Sequence, residues 1–474
     1  MLLLSVFSYL YLIPSSAPES FYVGVTYCGE SPEEAKQLID KVKDYTNLFV
    51  LQSGVLQYDL TAVEQICDYA VNSGLNVIVY FSANEIQKNA TAPFVNTAQE
   101  RWGSNFLGLY FGDEPGGKML QSRVDLGYIP SLGGNFSKTH LGFSVSQQNG
   151  SITCMRMFDF SGEISLSYMD VVNLNTTGIH YFTNGTIRRV YSFFEDDVWI
   201  NEFLMYYPNG TVTLQEGESD PYVVTDRGNI SQFEPYQEVW DSRSFPTYDE
   251  IATAHIESKQ PTIEWIHNQA DVNLFTSDFA LYWWDYQIGY DIVLAQLGWN
   301  HTLAQDIALV RGAAQLQNKT WGTIITWKYN HHPYLDSGEA IYEQMRMSYE
   351  CGAEYVIIFN YAEDMQGPYG TLQDEHFSAM ERFWNDVVKS PAVKRGSVEA
   401  EAVLVLSRNY GWGMRQSEDT IWGLWNGDEK SQQIWELSQN LLEQYGLGLD
   451  IVYDDPKFPV EGKYDQTFYW NQTD

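Results

Sequence analysis

Two blocks of the chain, residues 21 to 118 and 246 to 390, alternate short apolar runs with amphipathic stretches, and this alternation restricts the fold more than any single motif does. In the first block, Phe21 to Tyr27, Leu48 to Gln52, Leu75 to Phe81 and Asn105 to Phe111 are near-continuous apolar runs of strand length, the pattern of strands covered on both faces. Helical stretches fall between them, beginning at Ser31, at Thr61 to Ser73 and near Asn96 to Trp102. The first has an N-cap serine, Pro32 at its first position and Glu33 and Glu34 in its first turn. Strands joined through helices run parallel, with right-handed crossovers.

The rhythm returns with a helix from Thr247 to about Asn268 and continues through strands at Asp271 to Thr276, Asp291 to Leu297, Trp321 to Tyr329 and Glu354 to Tyr361. Helices at Leu303 to Gln317, Ser337 to Glu350 and His376 to Val388 separate and close them. Eight βα units predict an α/β protein built on a (β/α)8 TIM barrel, residues 19–118 and 246–390. The sixth strand has a rival reading, because residues 279 to 297 also suit one long helix. Between the blocks, residues 119–245 form a β-rich insertion after strand four, with Asn184-Gly185 and Asn209-Gly210 each placed between alternating strands as hairpin turns. A further βαβ pattern, Ala400 to Leu406, Gln432 to Tyr445 and Leu449 to Tyr453, predicts an α/β domain at 398–474, incomplete because at most one more strand follows.

The chain carries 62 acidic and 27 basic residues, a net charge of −35. Such a surface repels phosphate backbones and anionic lipid, which excludes nucleic acid and the membrane surface as partners. The apolar run at 1–18 reads as a signal peptide or membrane leader and is the chain's only membrane contact. Asn-x-Ser/Thr sequons at Asn89, Asn135, Asn149, Asn175, Asn184, Asn209, Asn229, Asn300, Asn318 and Asn471 also suit an extracellular or cell-surface glycoprotein. Four cysteines, Cys28, Cys67, Cys154 and Cys351, allow three pairings and have no metal-type spacing. No phosphate loop, dinucleotide fingerprint or nucleophile elbow occurs, so no cofactor is expected. Oligomeric state is not encoded in any pattern we recognise.

Strand four ends in Gly112-Asp113-Glu114-Pro115. Parallel α/β folds display active groups where strands finish, and a carboxylate between an aromatic-rich strand and a rigid turn suits a general acid. The same residues also suit a solvated turn with Asp113 as a helix cap. Other acids at expected strand ends are Asp278, Glu363 and Asp364, with Glu85 after strand three. Asp278 also reads as a cap, Glu363 and Asp364 as loop charges, and Glu85 as a helix start. Aromatics cluster at the same ends: Tyr27, Phe81, Tyr110, Trp283, Trp284, Trp299, Trp327, Tyr329 and Tyr361. Sugars stack on such rings, although any single ring also suits core packing. Adjacent His331 and His332 cannot chelate one ion as a helical i, i+4 pair does, and no metal is expected.

With an acid on strand four and an α/β domain behind the barrel, the chain resembles retaining glycoside hydrolases of the large barrel clan, especially β-galactosidase-type enzymes with a flavodoxin-like domain after the barrel. In that clan strand four ends in Asn-Glu-Pro or a near variant, and the match to Asp113-Glu114-Pro115 implies Glu114 as acid/base. The clan also has a nucleophile Glu ending strand seven, where this chain reads Thr326-Trp327-Lys328-Tyr329. Hydrolysis usually needs two carboxyls across the scissile bond, so Glu363 or Asp278 is the expected partner, with Asp113 beside Glu114. The expectation is a secreted glycosidase; a barrel that binds sugar without cleaving it, or builds the cell envelope, is the alternative.

Overall fold

The computed structural model describes residues 20–471 apart from 83–84, 116–123, 130–133, 140–141, 150–151, 160–161, 171–174, 196–197, 242–247, 300, 390–391 and 411–428. The expected leader, 1–18, lies outside the described residues. Strands β1 (Tyr22–Tyr27), β2 (Leu48–Leu51), β3 (Asn76–Phe81) and β4 (Phe106–Phe111) form half of a closed barrel. Ten strands, β5 to β14, follow between Val124 and Val223, and the barrel resumes with β15 (Leu274–Asp278), β16 (Ile292–Leu297), β17 (Thr320–Ile325) and β18 (Tyr355–Ile358). All neighbours are parallel, β4 pairs with β15 across the insertion, and β18 closes on β1. Residues 279 to 297 are not one helix. They hold the short helix Tyr282–Ile288 and then a barrel strand.

Strand alternation sorts the core into two shells. Leu48, Val50, Ile78, Tyr110, Phe275, Ile292, Leu294, Ile324, Tyr355 and Ile357 fill the barrel interior. Their neighbours in sequence, such as Phe49, Val79, Leu109, Phe111, Leu274, Val293, Ala295 and Val356, pack outward against the helices. Those helices are ordinary amphipathic ones. The first, Pro32–Val42, buries Ala35, Leu38, Ile39 and Val42, and Ser31 Oγ accepts from the Glu34 N–H at 3.3 Å.

Strands β5 to β14 form one antiparallel sheet in sequential order. At its turns Asn184 and Asn209 accept through Oδ1 from the N–H of Thr186 (2.9 Å) and Thr211 (3.0 Å), while Gly185 and Gly210 take φ of 83° and 87°. Only glycine adopts that conformation at no cost. Ile164, Leu166, Tyr181, Ile187, Leu204, Tyr206, Val212, Leu214 and Val239 make a separate small core here.

At the other end β19 (Ala402–Leu406) lies between β20 (Leu449–Tyr453) and β21 (Gln466–Tyr469), all parallel. This sheet docks on the barrel helix Leu303–Gln317. Arg311 pairs with Asp450 at 2.8 Å, both nearly fully buried, and also donates to the carbonyls of Val398, Leu447 and Leu449. Burial pushes the Asp450 carboxyl up, and Arg311 offsets only part of that.

Candidate functional site

The interior rows of several strands continue upward to the C-terminal mouth, where their last members are polar. On β2 the row Leu48, Val50 leads to Gln52; on β15 Phe275 leads to Ser277; on β16 Ile292 and Leu294 lead to Gln296. Tyr110 plays this part on β4. The strand then turns sharply. Gly112 donates its N–H to Phe81 O at 2.9 Å, Glu114 donates its N–H to Ser277 O at 3.0 Å, and Thr276 Oγ1 donates to Gly112 O at 3.1 Å. This stitching between β3 and β15 holds Glu114 at φ 49°, left-handed for a residue with a Cβ. The turn therefore sends two successive carboxylates into the same mouth, which an extended strand cannot do.

A polar chain fixes both acids. Tyr110 OH donates to Asp113 Oδ1, which also accepts from Ser277 Oγ at 3.0 Å. Gln296 Nε2 donates to Glu114 Oε1 at 2.7 Å and to Ser277 Oγ at 3.0 Å. Burial, with Asp113 beside it, holds the Tyr110 hydroxyl well above its ordinary pKa, so it stays a donor at every working pH.

Asp113 and Glu114 line a cavity of about 190 Å³ whose walls include Gln52, Tyr110, Ser277, Gln296, Ile324, Thr326, Trp299, Trp327, Phe359 and Tyr361. A neighbouring cavity of about 430 Å³ shares Gln52, Asp113, Phe359 and Tyr361 with it. Tyr27, Cys28, Glu30, Glu34, Tyr80 and Asn360 also line this second chamber. Asp113 thus stands where the two chambers meet. Among the described residues four carboxylates and no Lys, Arg or His line the pair. Burial raises Tyr27, Cys28 and Tyr80 to about 12, helped by Glu34 for Tyr27 and by Asp113 for the other two. All three are neutral at neutral pH.

The expected site residues divide. Trp327 and Tyr361 reach the smaller cavity, joined by a hydrogen bond from Trp327 Nε1 to Tyr361 O at 2.6 Å. Trp299 meets Trp327 edge-on with centroids 5.5 Å apart, and both Trp299 and Tyr361 keep about 40% of their surface exposed, at 40% and 41%. Tyr27 walls the larger cavity, but its hydroxyl is engaged by Ser31, donating to Ser31 O at 2.8 Å and accepting from Ser31 N at 3.1 Å. Tyr329 is exposed beside the mouth, stacked on His331, and lines neither chamber.

Four expectations are corrected. Trp283 and Trp284 are buried between the barrel and the C-terminal sheet, packed on Tyr453, with Trp284 Nε1 donating to Asn409 Oδ1 at 2.8 Å. Asp278 belongs to the outward row of β15 and is fully buried, its Oδ1 accepting from the N–H groups of Phe279 (2.7 Å), Ala280 (3.2 Å) and Leu281 (3.4 Å). It caps the following segment instead of facing Glu114. Glu363 is exposed and lines neither cavity; Asp364, beside it, accepts from Tyr334 OH at 2.6 Å. Glu85 opens the helix Glu85–Trp102. Cys28, Cys67 and Cys351 are free thiols, and among the described residues no three His, Cys, Asp or Glu side chains converge as a metal site.

The residues that sequence reasoning missed are Gln52, Ser277, Gln296 and Asn360, with Glu30 after β1 and Glu34 in the first turn of the helix Pro32–Val42. A signal existed for three of them. Gln52, Ser277 and Gln296 are polar positions continuing an apolar period-two row, and a buried polar group needs a partner or a ligand. No family model and no curated protein matches the chain.

Proposed function

We propose that the barrel mouth hydrolyses glycosidic bonds of an extracellular poly- or oligosaccharide, with Glu114 as general acid and then general base. The observation that carries this is the pair Asp113 and Glu114, each fixed by named donors, inside a cavity walled by Trp299, Trp327 and Tyr361. Fixed carboxylates in an aromatic, partly dry cleft are what protonation of a glycosidic oxygen demands. The rings offer stacking faces for pyranose C–H groups. The larger chamber beside Asp113 adds room for further sugar units. An exterior location is supported by exposed sequon asparagines at Asn184, Asn209, Asn229 and Asn318. The C-terminal sheet we read as flavodoxin-like, on its parallel order β20-β19-β21.

The test is turnover of a panel of aryl glycosides by the purified chain and by Glu114→Gln. A general acid contributes about 100-fold or more, so the variant is expected to lose at least that much kcat while its melting temperature stays within a few degrees. Equal turnover by parent and variant overturns the assignment. One observation favours a second reading, a barrel that binds sugar without cleaving it: among the described residues no acid other than Asp113 and Glu114 lines the smaller cavity. Oligosaccharide binding without any product from any glycoside would establish that alternative.

A further inference from the structure

An acid alone does not break a glycosidic bond at useful rates. Something must stabilise or capture the anomeric carbon from the opposite face of the ring, and the usual agent is a second carboxylate, about 5 Å from the first for retention and further for inversion. Among the described residues that line the cavity around Glu114, no carboxylate from another strand supplies that agent. Gln296, Ile324, Thr326, Trp327, Phe359 and Gln52 in its lining offer amides, a hydroxyl, hydrocarbon and rings. Among the described residues the one other carboxylate lining the cavity is Asp113, from the same turn as Glu114. Asp278 is engaged by three backbone N–H groups and Glu363 lies outside the cavity.

Resting on the hydrolase reading above, we infer that the nucleophile comes from the substrate, and that the sugar held beside Glu114 is a β-linked 2-acetamido-2-deoxyhexose. Its acetamido carbonyl oxygen is an internal nucleophile that needs no protein counterpart. Attack must come from the face opposite the leaving group, which requires the acetamido and aglycone groups to be trans and fixes the β linkage for gluco- and galacto-configured sugars. Glu114 gives its proton to the glycosidic oxygen as the C1–O bond breaks. The acetamido oxygen bonds C1, closing an oxazolinium ring whose nitrogen carries positive charge. Water then adds to C1, giving its proton to the Glu114 carboxylate, and the C1–O bond of the oxazolinium breaks to restore the acetamide. The sum is one glycoside and one water to one reducing sugar, a hemiacetal at C1, and one alcohol, with the β configuration retained.

Asp113 becomes the positioning and charge-balancing partner of that ring. Tyr110 and Ser277 both donate to its Oδ1 and fix the plane of the carboxylate at the junction of the two chambers. A carboxylate so held accepts from the acetamido N–H, turns the carbonyl oxygen toward C1 and offsets the charge that develops on nitrogen. Ile324 and Phe359 supply apolar surface in the same cavity for the acetyl methyl.

The experiment compares matched aryl β-glycosides carrying 2-acetamido, 2-trifluoroacetamido or 2-hydroxyl groups, with the anomer of the first-formed product read by proton NMR. Well-placed intramolecular groups are worth many orders of magnitude, so kcat/KM for the acetamido sugar is expected to exceed that of the hydroxyl sugar by about 100-fold or more. Fluorination, which weakens the oxygen as a nucleophile, is expected to cut kcat about tenfold or more, and the product is the β anomer. Asp113→Asn is expected to lose about 100-fold in kcat on the acetamido sugar and to abolish the dependence on fluorination. Comparable turnover of hydroxyl sugars, or rates indifferent to fluorination, overturns this inference and leaves the hydrolase reading standing. An inverted product also overturns it and points to a water activated from the larger chamber, where Glu30 and Glu34 lie. No turnover of any glycoside overturns the hydrolase reading itself, and this inference with it.

Discussion

Glu114 owes its place to a backbone conformation that most side chains avoid. Left-handed φ costs a non-glycine residue on the order of 1 kcal/mol, and the bonds from Glu114 N to Ser277 O and from Gln296 Nε2 to Glu114 Oε1 keep it there. Replacing Gln296 by Leu removes a donor to a carboxylate, worth about 1.5–3 kcal/mol, so kcat on the best aryl glycoside is expected to fall about tenfold or more with little change in melting temperature. Asp285 lies on the short helix Tyr282–Ile288. Its carboxyl is fully buried and neither oxygen has a hydrogen-bond partner among the described residues; burial first, then the nearby Asp278 charge, hold its pKa well above the ordinary range. Below about pH 4 the folded and unfolded chains both keep this proton. As pH rises the unfolded chain releases it and the folded chain does not, so the group costs stability increasingly toward neutral pH. Asp285→Asn is therefore expected to melt higher than the parent at pH 8, with the gap closing by pH 4, as read by circular dichroism. A gap that is unchanged between the two pH values would show that Asp285 is ionised in the folded chain.

At the scale of elements, one-residue parity decides which side chains reach the mouth. Ser277 and Asp278 are neighbours on β15, yet Ser277 faces the cavity and Asp278 the helix layer, because successive residues of a strand alternate. The expectation that Asp278 assists Glu114 failed on this point, and the interior row Phe275, Ser277 already carried the correct answer. The docking of helix Leu303–Gln317 on β20 is equally exact in register. A Cβ on Gly312 would stand 2.8 Å from Val452 Cγ1 and 3.1 Å from Ile451 O. Overpacking of that kind costs about 1–3 kcal/mol, so Gly312→Val is expected to lower the urea midpoint measurably, whereas a substitution at exposed Gly210, with nothing within 4 Å of its Cβ position, would act through backbone strain alone.

For the whole molecule, the distribution of cores predicts how it unfolds. One buried apolar cluster runs without a break from the barrel helices into the C-terminal sheet, from Val23 to Val452 and Tyr453, while the insertion sheet keeps its own cluster around Ile164, Tyr206 and Leu214. Calorimetry is expected to show two transitions, the barrel and C-terminal sheet together and the insertion apart. Arg311→Ala strands the buried Asp450, a loss of about 3–5 kcal/mol, and is expected to lower the first transition and leave the second in place. If both shift together, the insertion is cooperative with the barrel. The same continuity explains Trp283 and Trp284, which read as mouth aromatics until the C-terminal sheet is seen to cover them.

Read by itself, the amino-acid order determined the parallel alternation, the count of eight strands, the Asn-Gly hairpins and the exit of strand four through Asp113, Glu114 and Pro115, because period, turn chemistry and caps act over a few residues. Closure of the ring decided the rest. Only the barrel brings the ends of β4, β15 and β16 to one place, so that Tyr110, Ser277 and Gln296 hold the two acids while Asp278 and Glu363 stand aside. Which carboxylates share a cavity is a matter of distance across the fold, and no local pattern encodes it.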